Sequence, residues 1–214
     1  MKRTLLLAVF AVLGTTMLVA QDRDQIQDRD QDRLMLVDGE VLQIRDQDQI
    51  RLNEPITLND GTVINPDGTY MTGDQKQMRL KDGECLDNDG VFYRNEYQYR
   101  YKIQQENRGL AENQIRERNQ NRFQVMVIDG EAYQIRNEYQ IKIQNQFDVG
   151  DGTVVHPDGT YQNRKQQQLQ LKEGECINMD GAKFMNMYQN RKMIINKNMQ
   201  MKKMNKKVKK PTLH

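Results

Sequence analysis

Short β-branched and aliphatic runs, broken by Asp-Gly steps, set the rhythm of residues 34–95. The runs 34–37 and 40–45 flank Asp38-Gly39. Asp-Gly between two such runs predicts a two-residue hairpin, because both central residues of a type I′ turn take positive φ. Further steps stand at Asp60-Gly61, Asp67-Gly68, Asp82-Gly83 and Asp89-Gly90, with the short runs 62–64, 69–71, 77–80 and 84–86 between them. Met78 and Leu80 alternate with Gln77 and Arg79, which gives that strand one apolar and one wet face. No stretch here carries a 3.6-residue apolar stripe. The pattern predicts a meander of short antiparallel strands.

The whole pattern then returns without a gap. Asp129-Gly130-Glu131 follows Asp38-Gly39-Glu40 by 91 positions, and Asp60-Gly61-Thr62-Val63 returns by the same shift as Asp151-Gly152-Thr153-Val154. Lys81-Asp82-Gly83-Glu84-Cys85 likewise maps onto Lys172-Glu173-Gly174-Glu175-Cys176. Gly39, Gly61, Gly68, Gly83 and Gly90 all find partners, at Gly130, Gly152, Gly159, Gly174 and Gly181. A backbone demand for positive φ would impose that coincidence. Gly73, outside these turns, falls on Arg164. The chain therefore reads as mainly β: two tandem small antiparallel β-meander units of short hairpins, residues 34–95 and 124–185, with disordered or weakly helical linkers and tail. Tyr97, Tyr99, Tyr101 and Ile103 alternate with polar residues and predict a strand leading out of the first unit. The rest of the spacer, to 123, is polar. Its segment 111–118 has helix propensity but almost no apolar face.

The ends differ from the units. Met1-Lys2-Arg3 precedes an apolar run from Leu5 to Leu13, and Ala20 suits the last position before a cleavage site. This predicts a secretory signal peptide over 1–20, and hence export to the periplasm or beyond the cell. A membrane anchor would need about 20 apolar residues, and Gly14-Thr15-Thr16 interrupts the run. Residues 21–33 repeat Asp, Gln and Arg around the single apolar Ile26, the composition of a disordered lead.

Composition sharpens this picture. Mean hydropathy is -0.92 and there is no Trp, so a large enclosed core is not expected. The net charge of +2 conceals an asymmetry: no acidic residue follows Asp180, whereas ten Lys and Arg do. The basic tail, 186–214, suits contact with anionic cell-surface polymer or lipid headgroups. Its few aromatics argue against specific nucleic-acid binding. Exposed strand edges offer self-association.

The order of these Asp-Gly turns, with PDGT and KDGE-C at their spacing, resembles an uncharacterised domain of exported proteins, chiefly of Bacteroidota, in two copies. The resemblance covers about 34–93 and 125–184. It implies neither an activity nor any site residue, because no function is assigned to that domain. Relatives carry Met along these strands, whereas here Met concentrates in the tail.

Candidate chemistry is sparse. Cys85 and Cys176 are the two cysteines and occupy equivalent positions. In an oxidising compartment they form a disulfide candidate; the other reading is a pair of buried free thiols. Met185, Met187, Met199, Met201 and Met204 in the tail carry soft thioethers suited to Cu(I) or Ag(I), although the neighbouring lysines oppose a cation. The alternative is a basic tail in which Met is incidental. Asp87-Asn88-Asp89-Gly90 lacks the spacing of a calcium loop. His156 has no counterpart in the first unit, where Asn65 stands, and no nucleophile, zinc-protease or phosphate-loop motif is present. No cofactor and no enzymatic activity are expected.

Overall fold

In the computed structural model of the chain, residues 32–208 are described; the stretch read as a signal peptide and most of the charged lead lie outside them, as does the end of the tail. The first unit contributes β1 (Asp32–Val37), β2 (Glu40–Arg51), β3 (Ile56–Thr57), β4 (Val63–Ile64), β5 (Thr69–Met71), β6 (Gln77–Arg79), β7 (Cys85–Asp87) and β8 (Phe92–Tyr93). Two helices follow, α1 (Glu96–Asn107) and α2 (Glu112–Gln120). The second unit repeats the series as β9 (Phe123–Ile128), β10 (Glu131–Lys142), β11 (Phe147–Asp148), β12 (Val154–Val155), β13 (Thr160–Gln162), β14 (Gln168–Gln170), β15 (Cys176–Asn178) and β16 (Lys183–Phe184). It closes with α3 (Met187–Val208). The fold is mainly β, with two antiparallel units built of short hairpins.

The units are interleaved rather than merely consecutive. One sheet of eight strands runs β16-β15-β1-β2-β10-β9-β7-β8, so β1 pairs with β15 of the other unit and β9 with β7. Each long hairpin completes the sheet of its neighbour. The two four-stranded meanders, β3–β6 and β11–β14, stay within their own units. Their cores do not. Leu34, Leu36 and Val41 pack among Val149, Val155, Tyr161 and Leu171. Val125, Val127 and Ala132 pack among Leu58, Ile64, Tyr70 and Leu80. The opposite face of the large sheet carries Met35, Val37, Ile44, Met126, Ile128 and Ile135, which are covered by α1 and α3. β1 is buried along its whole length. An apolar layer on both faces explains why its sequence reads as a continuous run rather than an alternation.

The hairpin tips meet the sequence reading closely. Asp38 and Gly39 have φ of 53° and 72°, and Asp129 and Gly130 have 51° and 77°, the signature of a type I′ turn. At the other Asp-Gly steps only the glycine turns left-handed, whereas the β5–β6 and β13–β14 tips place Gln75 and Gln166 there, at φ of 64° and 62°. At Asn65-Pro66-Asp67-Gly68 the Gly68 amide donates to the Asn65 carbonyl at 3.0 Å, and the Thr69 amide donates to Asp67 Oδ1 at 3.0 Å. Gly68 is also constrained by space. A Cβ there would stand 2.5 Å from Cγ2 of Val127 in the other unit, and a Cβ on Gly159 would stand 2.8 Å from Cδ1 of Leu36. These turns are seats for the exchanged hairpins.

Three expectations need correction. Residues 96–107 form a helix, not a strand. Asn95 caps it by accepting from the Gln98 amide at 3.1 Å, and its buried positions are Glu96, Tyr99, Arg100, Ile103, Gln104 and Asn107. That spacing is helical, but most of the buried face is polar, so hydropathy does not reveal it while the alternating tyrosines suggest a strand. The tail from 187 to 208 is likewise a helix with Met187, Asn190, Arg191 and Ile194 buried, capped by Asn186 as α1 is by Asn95. The repeat therefore runs past the strands into both helices. Finally, Asp32 and Arg33, read as part of the charged lead, open β1 and are buried.

Candidate functional site

The densest chemistry of the described residues lies where the pseudo-twofold axis crosses the large sheet. β2 and β10 pair antiparallel, and Asp46 faces its own equivalent, Asn137, across the ladder. A register shift beside that pair leaves Gln47 and Glu138, also equivalents, without cross-strand partners. Paired bulges accentuate the local twist, and α1 and α3 each send an arginine, Arg100 and Arg191, to Asp46 at the same point.

Five ionisable side chains meet there. Asp46 accepts from Arg33, from Arg100 Nη2 at 3.0 Å and from Arg191 Nη1 at 2.9 Å. Glu96 takes Arg100 Nη2 at 2.7 Å and Arg191 Nε and Nη2 at 2.6 Å each. Asn137 Oδ1 and Gln49 Oε1 accept one further bond each, from Arg100 and Arg191, at 3.0 Å. All five charged groups are essentially inaccessible to solvent. Burial pushes the Asp46 carboxyl up, but Arg191, Arg33 and Arg100 together hold it below its usual range. The same contest leaves Glu96 strongly depressed, mainly through Arg191 and Arg100. Burial lowers Arg33, with Asp46 opposing. The cluster thus holds three guanidiniums against two carboxylates, and neutral amides supply the remaining acceptors.

Such an arrangement adds little net stability relative to apolar packing, but breaking one partner is costly. Its role follows from its geometry. It joins β1, β2, β10, α1 and α3, and it fixes how the two units dock.

The exchanged hairpin tips are held in the same pairwise manner. Glu173 accepts from the backbone amides of Asp38 and Gly39 at 2.9 and 2.8 Å, and its equivalent Asp82 accepts from Gly130 at 3.0 Å. The rings of Tyr97 and Tyr188 lie over Gly174 and Gly83, where a Cβ would stand 3.6 Å from the ring carbons. A cavity of about 390 Å³ opens between these contacts, bordered by both helix starts.

The cysteines do not form the disulfide that their pairing suggested. Both are free and buried. Cys85 lies on β7 and Cys176 on β15, and five strand-to-strand steps of the sheet separate them. At about 4.8 Å per step that is roughly 24 Å, whereas a bridge tolerates Cα atoms at most about 7 Å apart. These two equivalent positions lie far from the axis. Burial pushes the Cys176 thiol up to about 12 and the Cys85 thiol well above its ordinary value. Neither is a ready nucleophile.

The tail methionines are spread along α3. Met187 is buried, Met185 is exposed just before the helix, and Met199 and Met204 are exposed farther on. Met187 and Met199 stand about 18 Å apart along the axis at 1.5 Å per residue. Met199 and Met201 point about 160° apart around the helix, whereas Met201 and Met204 share one side. Of the basic groups, Arg191 is in the buried cluster, Lys183 bonds Glu175 at 2.8 Å and Lys192 bonds Asp129 at 2.5 Å. Among the described residues no group of His, Cys, Asp and Glu is arranged to hold a metal ion, and no helix is long and apolar enough to cross a membrane. The sequence reading missed the ionic cluster, because its members are scattered from 33 to 191. The signal that could have found it was the 91-residue shift, which aligns Arg100 with Arg191 and Asp46 with Asn137.

Fold and site together define an internally duplicated β protein, in which two like units trade hairpins about a buried ionic axis. The chain belongs to the family described as a domain of unknown function (DUF6799), whose model matches residues 31–92 and 123–182, more than half of the sequence. Both matched regions stop short of α1 and α3, although the helices repeat with the strands. Comparison with curated proteins and with solved structures returned no match.

Proposed function

We propose that the chain is a non-enzymatic, exported binding or structural protein that presents the far half of α3 to an anionic polymer or lipid surface. The observation that carries this is the placement of the lysines. After Ile194 the helix offers no further fully buried residue up to Met204 and carries the exposed Lys203, while the sequence from 195 to 210 is rich in lysine and holds no acidic residue. A helix concentrates these charges along one rod, where a loose tail would disperse them. Export, and the setting in Bacteroidota that the resemblance implies, belong to the same proposal. For self-association the outer strands of the small meanders, β3, β6, β11 and β14, are the relevant edges.

The test is retention on heparin and on anionic vesicles as salt is raised. Each lysine near an anionic surface contributes about 1 kcal/mol. Replacing Lys202, Lys203, Lys206 and Lys207 with Gln then weakens binding by about a thousandfold. Elution of this variant at unchanged salt concentration overturns the proposal. A truncation for the same purpose must begin after Ile195, because a cut before Ile194 removes side chains of α3 that are buried in the interior.

A further inference from the structure

The two halves of the chain are joined at an exposed corner. α1 ends at Asn107, the chain turns at Gly109 with φ 77°, and α2 starts at Glu112. α1 belongs with the first half. α2 belongs with the second, where Arg116 lies over the Tyr139 ring of β10 at 4.7 Å. The repeat shows the other conformation open to this corner. By the 91-residue shift Gly109 corresponds to Gln200, which lies within α3, and that helix runs unbroken from Met187 to Val208. Gly109 is the one glycine between 96 and 120, and no proline interrupts the span. Once Gly109 leaves the left-handed region, α1 and α2 can fuse into a single helix.

Straightening separates surfaces that the bent corner keeps together. A continuous helix over 96–120 is roughly 37 Å long at about 1.5 Å per residue, so the second half no longer reaches the first. The β1–β15 and β7–β9 ladders then open. Leu34 and Leu36 lose their cover of Val155 and Leu171, and Asp46 and Glu96 lose Arg191. These surfaces are specific in shape, register and charge. What matches them is the same half of a second copy.

We infer that the chain forms a dimer by exchange of halves, in which the first half of each copy docks on the second half of the other. The contacts are those of the monomer, made between chains. This differs from association through the outer meander strands, which leaves each copy closed. Monomer and exchanged dimer share their interfaces, so the hinge and the concentration decide between them. Short linkers give effective concentrations on the order of millimolar, and the wild type exchanges near that concentration. Gly109→Ala lowers the threshold. Nothing lies within 4 Å of the added Cβ, so the change acts through the backbone alone. The left-handed penalty disfavours the bent form about tenfold per chain, and two chains make the dimer dissociation constant fall about a hundredfold. Ala111→Pro acts in the opposite sense. Its φ of −71° already suits proline, whereas in a fused helix the ring would strike the Asn107 carbonyl.

The experiment is refolding of the processed full-length chain from urea at about 1 µM to about 1 mM, a range reaching the effective concentration, with mass read by light scattering after size exclusion. Met35→Cys reports the mode of association, because residue 35 faces Cys176 across the β1–β15 ladder. After oxidation the bridge lies within one chain in a closed copy and between chains in an exchanged dimer. The expected result is a dimerisation midpoint about a hundredfold lower for Gly109→Ala than for wild type. Its dimers, carrying Met35→Cys, then run as covalent dimers without reductant, and Ala111→Pro stays monomeric throughout. Equal midpoints for Gly109→Ala and wild type overturn the inference. So do dimers whose bridge remains within one chain, or dimerisation of Ala111→Pro at the wild-type midpoint. If Gly109→Ala fails to refold, the comparison of wild type with Ala111→Pro near the upper concentration decides: a dimer for wild type alone supports exchange, and the same mass for both overturns it. The lysines of α3 take no part in these outcomes.

Discussion

Replacing Asp46 with Asn tests the ionic axis most directly. The carboxylate accepts from three guanidiniums and its side chain is 4% exposed. Asn retains one acceptor but directs an NH2 group at arginine donors. It also leaves three buried positive charges facing Glu96 alone. Breaking a buried ion pair from one side costs about 3–5 kcal/mol. For a chain of this size each kcal/mol moves Tm by roughly 2–4 °C, so the midpoint falls by roughly 6–20 °C in differential scanning calorimetry at neutral pH. Acid provides the second reading. The folded carboxyls of Asp46 and Glu96 lie below their ordinary range, so their contribution is complete above the unfolded value near about 4 and is lost as pH falls through the lower folded values. Wild-type stability therefore declines steeply on acidification below that point, and the variant declines less. Adding Asn137→Asp returns a carboxylate to the axis, where Arg100 Nη1 already meets Oδ1 at 3.0 Å, and restores part of the loss. A change of less than about 1 kcal/mol for Asp46→Asn, within the ordinary range of surface substitutions, would refute the idea that this cluster joins the units.

Two further outcomes follow from the packing. A thiol reagent leaves native protein unmodified and finds two thiols after denaturation, because Cys85 and Cys176 are buried with raised pKa; electrophoretic mobility is the same with and without reductant. Gly39→Ala costs only the left-handed strain of roughly 1–2 kcal/mol, since nothing lies within 4 Å of its added Cβ. Gly68→Ala adds a collision with Val127 to the same strain, and urea titration places its midpoint well below that of Gly39→Ala.

Turns, repeat and strand class were legible in the sequence because they depend on neighbours a few positions apart. Asp38-Gly39 needs only its own φ angles to become a hairpin tip, and the 91-residue shift copies that local chemistry to Asp129-Gly130. The small meanders follow for the same reason. Helix α1 was obscured because four of its six buried positions, Glu96, Arg100, Gln104 and Asn107, are polar, so hydropathy marks no inner face. The cysteines misled because equivalence in sequence says nothing of distance from the symmetry axis. The exchange of β1–β2 and β9–β10 between units and the convergence of Arg33, Asp46, Glu96, Arg100 and Arg191 were decided by tertiary structure alone. Each depends on groups tens of residues apart meeting in a low-dielectric interior, and no local pattern encodes that meeting.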